Sequence, residues 1–240
     1  MKRLSAPRLN QLVARVPGRD IPIVMPETAQ SDPGLAVCLA WQPFGSRAGL
    51  SVLFQLDERL AAAVAQAREP MLAQVRLAWW RERLSEIASN PASGEPLLAR
   101  VSETWGPSGG RLAALVDGWE HLVGEPSLST EDMTAFATGR AEALRAFANH
   151  AGAGADADAA ASIGRAWAFA DLAVRASDEA ERKMARSLGS AETVALPRSR
   201  RLRGVAVLGG LSARALLRGE PIMEGRGAAA AAMRLGLFGR

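Results

Sequence analysis

The chain is 240 residues long, with 48% hydrophobic, 22% charged and only 5% aromatic residues, so its apolar content comes mainly from Ala, Leu and Val. A chain of this length buries one large core, and Ala and Leu favour helices because they lose little or no side-chain entropy there. Cys38 is the one cysteine, which excludes an internal disulfide and a cysteine-built zinc site, and the net charge of +4 suits an anionic partner such as a membrane face, a diphosphate or nucleic acid. Nearly all the positive charge is Arg, since Lys2 and Lys183 are the only lysines. No apolar run reaches the ~20 residues that cross a bilayer. The richest, 204–217, is interrupted by Gly209, Gly210, Ser212 and Arg214. A cytoplasmic chain with a reduced interior thiol, able to associate with a membrane, is the expectation.

Residues 1–31 carry Lys2, Arg3, Arg8, Arg15 and Arg19, then Pro22 and Pro26, without a sustained helical period. They read as a poorly ordered basic arm. A targeting segment is the other reading, but Asp20 and Glu27 interrupt the acid-poor pattern it needs. From residue 32 onward a single helical domain is expected. Asp32 and Pro33 cap a first helix over 35–41, and Pro43 and Gly45 predict a break over 44–47. A helix over 48–67 places Leu50, Leu53, Phe54, Asp57, Leu60 and Val64 on one face. Pro70 opens another that runs to Ser89 and carries Trp79 and Trp80.

A turn follows at 90–95, then short helices over 97–105 and 111–123. Ser129, with Glu131 and Asp132 in the first turn, starts a helix running to about His150. A glycine-rich link leads to an Ala-rich helix over 157–177, and 179–187 reads as a charged loop or solvated face. Leu196 and Pro197 lead into a last long helix over 200–218, and 228–237 closes the chain. No alternating strand pattern and no internal repeat is present.

Familiar catalytic patterns are missing. There is no Gly-x-Ser-x-Gly elbow, no phosphate loop, and neither His121 nor His150 has a metal-ligand spacing. Asp117 and His121 share a helix face, as do Glu82 and Glu86, but Arg81 and Arg83 interleave with the latter, which fits a charged surface. Asp171 with Arg175, Asp178 with Arg182 and Glu179 with Lys183 read as ion pairs one turn apart. Trp79 and Trp80 point ~100° apart on a helix, so at least one faces the core. Trp167 suits either core filling or ligand stacking. A buried Arg76 or Arg83 would need a carboxylate such as Asp57.

Five stretches taken together resemble a known family. They are the helix beginning Leu35-Ala, the run Leu53-Phe-Gln-Leu-Asp57, the run Met71-Leu-Ala-Gln-Val-Arg-Leu-Ala-Trp-Trp-Arg81, the helix Gly164-Arg-Ala-Trp-Ala-Phe-Ala-Asp-Leu172, and the Leu196-Pro197 lead-in with an Arg234-Leu-Gly-Leu-Phe-Gly-Arg ending. This set resembles the squalene/phytoene synthase family, and more closely its divergent branch that includes the mitochondrial complex I assembly factor and short bacterial relatives. The resemblance implies an all-α bundle of the isoprenoid synthase type around a central cavity, where magnesium on two facing aspartate-rich helices holds prenyl diphosphates. Where the first aspartate-rich motif should fall, this chain has Ala61, Ala62 and Ala65. Where the second should fall stand Ala168, Asp171, Val174 and Arg175, with Asp178 and Glu179 the nearest acids beyond.

Alanine offers no oxygen to magnesium, so no metal ligand and no cofactor is expected, and no catalytic residue is assigned. Arginine can still hold an anion through forked hydrogen bonds. Candidate residues for a cavity or anion site are Asp57, Arg76, Trp80, Arg81, Asp171 and Arg175. Three functions compete. One is a family member that has lost prenyl transfer and binds an isoprenoid or prenyl diphosphate, or serves as a scaffold or assembly protein in respiratory-complex biogenesis. The second is an active magnesium-dependent prenyl transferase using displaced acids such as Asp57 with Glu58 and Asp178 with Glu179. The third, compatible with the first, is peripheral membrane contact through Arg198, Arg200, Arg201 and Arg203 beside an apolar helix. A nucleic-acid role is not expected, because no aromatic residue interleaves with those arginines.

Overall fold

A computed structural model describes residues 32–67, 69–89, 94–124 and 127–239. The basic arm and residues 90–93 of the turn lie outside the described residues. The described residues form an all-helical unit without strands. None of their helices is long and apolar enough to cross a membrane.

The first helix, α1 (Pro33–Trp41), starts where expected. Asp32 accepts a hydrogen bond from the Gly34 N–H at 2.7 Å, and Pro33 occupies the first turn, where its missing N–H costs nothing. The expected break at 44–47 is instead the first turn of α2 (Phe44–Ala65). Pro43 sits just before the helix and Gly45 lies in its exposed first turn, so both breakers fall where the helix has no internal bonds to lose. The next helix, α3 (Pro70–Ser85), ends in a turn at residues 86–89. After α4 (Pro96–Trp105), the expected helix over 111–123 resolves into a 3-10 stretch, Gly106–Leu112, and a short α5 (Ala113–Glu120).

A reciprocal cap opens α6 (Thr130–His150). Ser129 Oγ accepts from the Asp132 N–H at 3.1 Å, and the Asp132 carboxylate accepts from the Ser129 N–H at 3.0 Å. The Ala-rich helix is α7 (Ala157–Arg175). The segment read as a charged loop or solvated face is a helix with a largely exposed face, α8 (Glu179–Ala191), capped by Asp178. Its buried stripe is Glu181, Ala185 and Gly189, which is too small and polar to look like a core face, and Glu181 reaches the Leu128 N–H at 2.8 Å. The chain closes with α9 (Arg203–Arg218), preceded by a 3-10 turn at Arg200–Leu202, and α10 (Ala228–Phe238).

Glycines set the spacing at the centre of the bundle. A Cβ on Gly164 of α7 would lie 2.6 Å from the Ala141 Cα and the Arg140 carbonyl oxygen of α6. A Cβ on Gly139 of α6 would lie 2.8 Å from the Gly118 Cα of α5. These contacts let α5, α6 and α7 cross almost backbone to backbone, and they aim residue 140 at the middle of the fold. A buried glutamine joins the α1–α2 junction to the start of α9. Gln42 donates to the Arg201 carbonyl at 2.6 Å and to Ser46 Oγ at 2.7 Å, and accepts from the Gly204 N–H at 3.0 Å.

Candidate functional site

The most polar place in the interior is built on Arg140. Its helix carries an apolar stripe of Met133, Phe136, Leu144 and Phe147, and Arg140 sits within that stripe at helical spacing, only 3% exposed. Such a charge is stable only where carboxylates meet it. Asp57 of α2, also buried, accepts Arg140 Nε at 3.1 Å on one oxygen and Nη2 at 2.7 Å on the other. The first oxygen also accepts Trp119 Nε1 from α5 at 2.9 Å. Arg140 Nη2 donates in addition to Asp171 of α7 at 3.0 Å.

From Asp171 the network runs outward. Arg175 Nε meets its other oxygen at 2.7 Å, and Arg175 Nη2 reaches Asp32 at 3.1 Å, the residue that caps α1. Acids and arginines therefore alternate from the core to the surface across four helices. Aromatic rings enclose the inner end. The Arg140 guanidinium carbon is 3.9 Å from the Trp167 ring centroid, 4.6 Å from Phe136 and 5.6 Å from Trp119. The ring faces attract the cation directly. Phe54 meets Trp167 edge to face at 5.5 Å.

Burial is the largest single influence on the Arg140 guanidinium and acts to weaken its hold on the proton. The charges and hydrogen bonds of Asp57 and Asp171 together exceed it and hold the group above its ordinary value, so it stays a cation. Next along α2, burial pushes the Glu58 carboxyl up from its ordinary value, a shift opposed by the backbone of Asp32 and reinforced by the charge of Asp57. Arg140 Nη1 is buried without a hydrogen-bond partner among the described residues, so the ring faces alone attract that side of the group. Beside the network, Asp32, Trp167, Ala170, Asp171, Arg175 and Ile222 line a cavity of about 30 Å³, space for roughly one water.

Of the candidates read from sequence, the structure brings together Asp57, Asp171 and Arg175. Arg76, Trp80 and Arg81 make no hydrogen bond or ion pair with them. Arg76 lies exposed on α3 and Trp80 packs into the core, while Trp79 stays 41% exposed. Arg81 lies at the surface with Asp117 at 2.7 Å and Glu120 at 2.6 Å. The carboxylate offered to Arg76 or Arg83 is taken by Arg140, because the crossing helix delivers its guanidinium deeper than α3 can. Arg83 instead pairs with Glu82 on its own helix and with Glu86 at the start of the turn that follows. Asp178 caps α8, while Arg182 and Lys183 both pair with Glu179.

The sequence reading missed Arg140, Trp119 and Asp32 as members of this network. The available signal was an arginine inside an apolar stripe, the mark of a buried charge with a partner elsewhere. Ala61 and Ala62 are partly buried on α2 and Ala65 is exposed, so that helix adds no carboxylate beside Asp57 except Glu58. Among the described residues no group of three or more His, Cys, Asp or Glu side chains is arranged to hold a metal ion. Cys38 is buried, and burial pushes its thiol well up, so it stays protonated. At this junction Trp167, Phe54 and Phe136 pack around the network. Comparison of the chain with protein-family models, with curated proteins and with solved structures gives no match.

Proposed function

We propose that the chain is a squalene/phytoene synthase-like bundle of the isoprenoid synthase type that has lost prenyl transfer and serves as a scaffold or assembly protein, with respiratory-complex biogenesis as its setting. One observation carries this reading. The Arg140 guanidinium lies between Asp57 of α2 and Asp171 of α7, and hydrogen-bonds to both. In a transferase of that type, facing acids on two helices hold magnesium against a diphosphate. Here the facing acids are neutralised by a cation built into the chain.

The residues present do not fit a magnesium cluster. Both oxygens of Asp57 and both of Asp171 are already engaged by nitrogen donors, and a divalent ion would sit beside a buried positive charge. An isoprenoid in the centre would also have to displace Trp167 and Phe54, which are 3% and 2% exposed. That favours the scaffold role over isoprenoid binding in the core.

The test uses the purified chain with farnesyl or geranylgeranyl diphosphate and magnesium. The expected outcome is no prenyl product, no released diphosphate and no magnesium-dependent rise in melting temperature. Product formed by the unmodified chain, and lost in Asp57→Asn, would overturn the proposal in favour of an active magnesium-dependent prenyl transferase.

A further inference from the structure

Three separate parts of the chain meet at one end of the bundle. The α1–α2 junction is tied to the start of α9 by Gln42, whose amide bonds Arg201 and Gly204. The end of α10 joins them. The Trp41 ring lies where a side chain on Gly236 would be, and the Arg203 guanidinium lies beside Gly239. This end exposes large apolar side chains that the rest of the fold does not cover. Phe44 is 90% exposed, Phe238 67% and Leu237 57%.

Arginines stand on the segments that meet at this end. Arg47 and Arg234 join the four expected from sequence, Arg198, Arg200, Arg201 and Arg203. Arg47 folds back onto the Gln42 carbonyl at 2.8 Å, and Arg201 onto the carbonyls of Ala151 and Gly152, so both stand on a fixed backbone. None of the six makes an ion pair among the described residues. The segments that meet here, 41–47, 198–204 and 233–239, contain no Asp or Glu. Asp156, the acid that reaches it, spends its oxygens on the backbone N–H groups of Arg198 and Ser199, at 3.1 Å and 2.8 Å.

We propose that this end of the bundle docks on an anionic lipid surface, with Phe44, Leu237 and Phe238 inserted between headgroups and the arginines at phosphate level. Exposed phenylalanine and leucine gain by leaving water, and arginines that make no ion pair among the described residues gain by meeting negative headgroups; an anionic membrane supplies both together. Single-stranded nucleic acid suits the patch less well, because it binds aromatic platforms along a groove, whereas here aliphatic Leu237 stands among the exposed tips. The inference is independent of whether prenyl transfer has been lost.

Co-sedimentation of the full chain with vesicles tests it, comparing phosphatidylcholine alone with phosphatidylcholine containing about 30% phosphatidylserine. Binding is expected only to the anionic vesicles, and it should weaken as salt rises. The pairs Phe44→Ser with Phe238→Ser, and Arg200→Glu with Arg234→Glu, should each lower the bound fraction at least about tenfold with unchanged melting, because the four side chains are exposed. Met71→Ser with Val75→Ser, on the exposed face of α3, should bind like the native chain. Equal binding to both vesicles, binding to neither, loss only in the α3 variant, or oligonucleotide binding that the phenylalanine pair abolishes would each overturn the proposal.

Discussion

Arg81 and Arg140 each hold two carboxylates from other helices, yet they stand in opposite surroundings. On α3, Arg81 meets Asp117 and Glu120 with its side chain 39% exposed, in reach of water that screens all three groups. On α6, Arg140 meets Asp57 and Asp171 with its side chain 3% exposed, and three aromatic rings replace water. The contact geometry is nearly the same, but the consequence differs. An exposed cluster gains little over hydration. A buried one makes each member indispensable to the others, because any charge left alone has nothing to solvate it. The helices differ in the same way: α3 buries Ala73, Leu77, Trp80 and Leu84 and turns Met71, Leu72, Val75 and Trp79 outward, while α6 is enclosed between α5 and α7.

The sharpest test of that contrast is to truncate both arginines. Arg140→Ala should cost about 3–5 kcal/mol in urea unfolding, because it strands Asp57 and Asp171, and Arg81→Ala no more than about 1 kcal/mol. Similar losses at the two sites would remove the distinction. A smaller effect tests the crossing that delivers Arg140. Gly164→Ala should cost about 1–3 kcal/mol, since the new methyl meets the α6 backbone. Gly45→Ala, in the open first turn of α2 with nothing within 4 Å, should be neutral or stabilise by up to about 1 kcal/mol.

The smallest effect is a pH slope set by His150. Its ring stacks on Trp105 at 4.5 Å, and burial holds its pKa below the ordinary value of about 6.5. Above about pH 7.5 the ring is neutral in both folded and unfolded chains, so it adds no slope. As pH falls, the unfolded chain takes up the proton first and stability declines, until the folded ring is protonated too. His150→Gln should flatten unfolding stability as pH falls below about 7. An unchanged slope would show that other groups set it.

Helices with strong ends were legible in the sequence. The Ser129–Asp132 box and the prolines at 33 and 70 mark starts because each satisfies or dispenses with a first-turn amide. The start of α2 and the whole of α8 were hidden for the opposite reason, since Pro43 and Gly45 resemble a break and a stripe of Glu181, Ala185 and Gly189 does not resemble a core. In the network, Asp57 and Asp171 could be singled out as acids on helices with apolar faces. Their partner could not, because residues 57 and 140 are 83 positions apart and only the glycine-mediated crossings decide that they meet. The dense Trp and Arg run of α3 drew attention to Arg76 and Arg81, but local density does not report depth.

The Gln42 clasp bears on how the chain reaches this fold. It joins residues 159 and 162 positions apart, so it closes most of the described chain into a loop. Closing a loop that long is paid in chain entropy before any hydrogen bond can form. The clasp therefore gains nothing until α1 and α9 are already side by side. It belongs among the last contacts to form, so its loss should speed unfolding more than it slows folding.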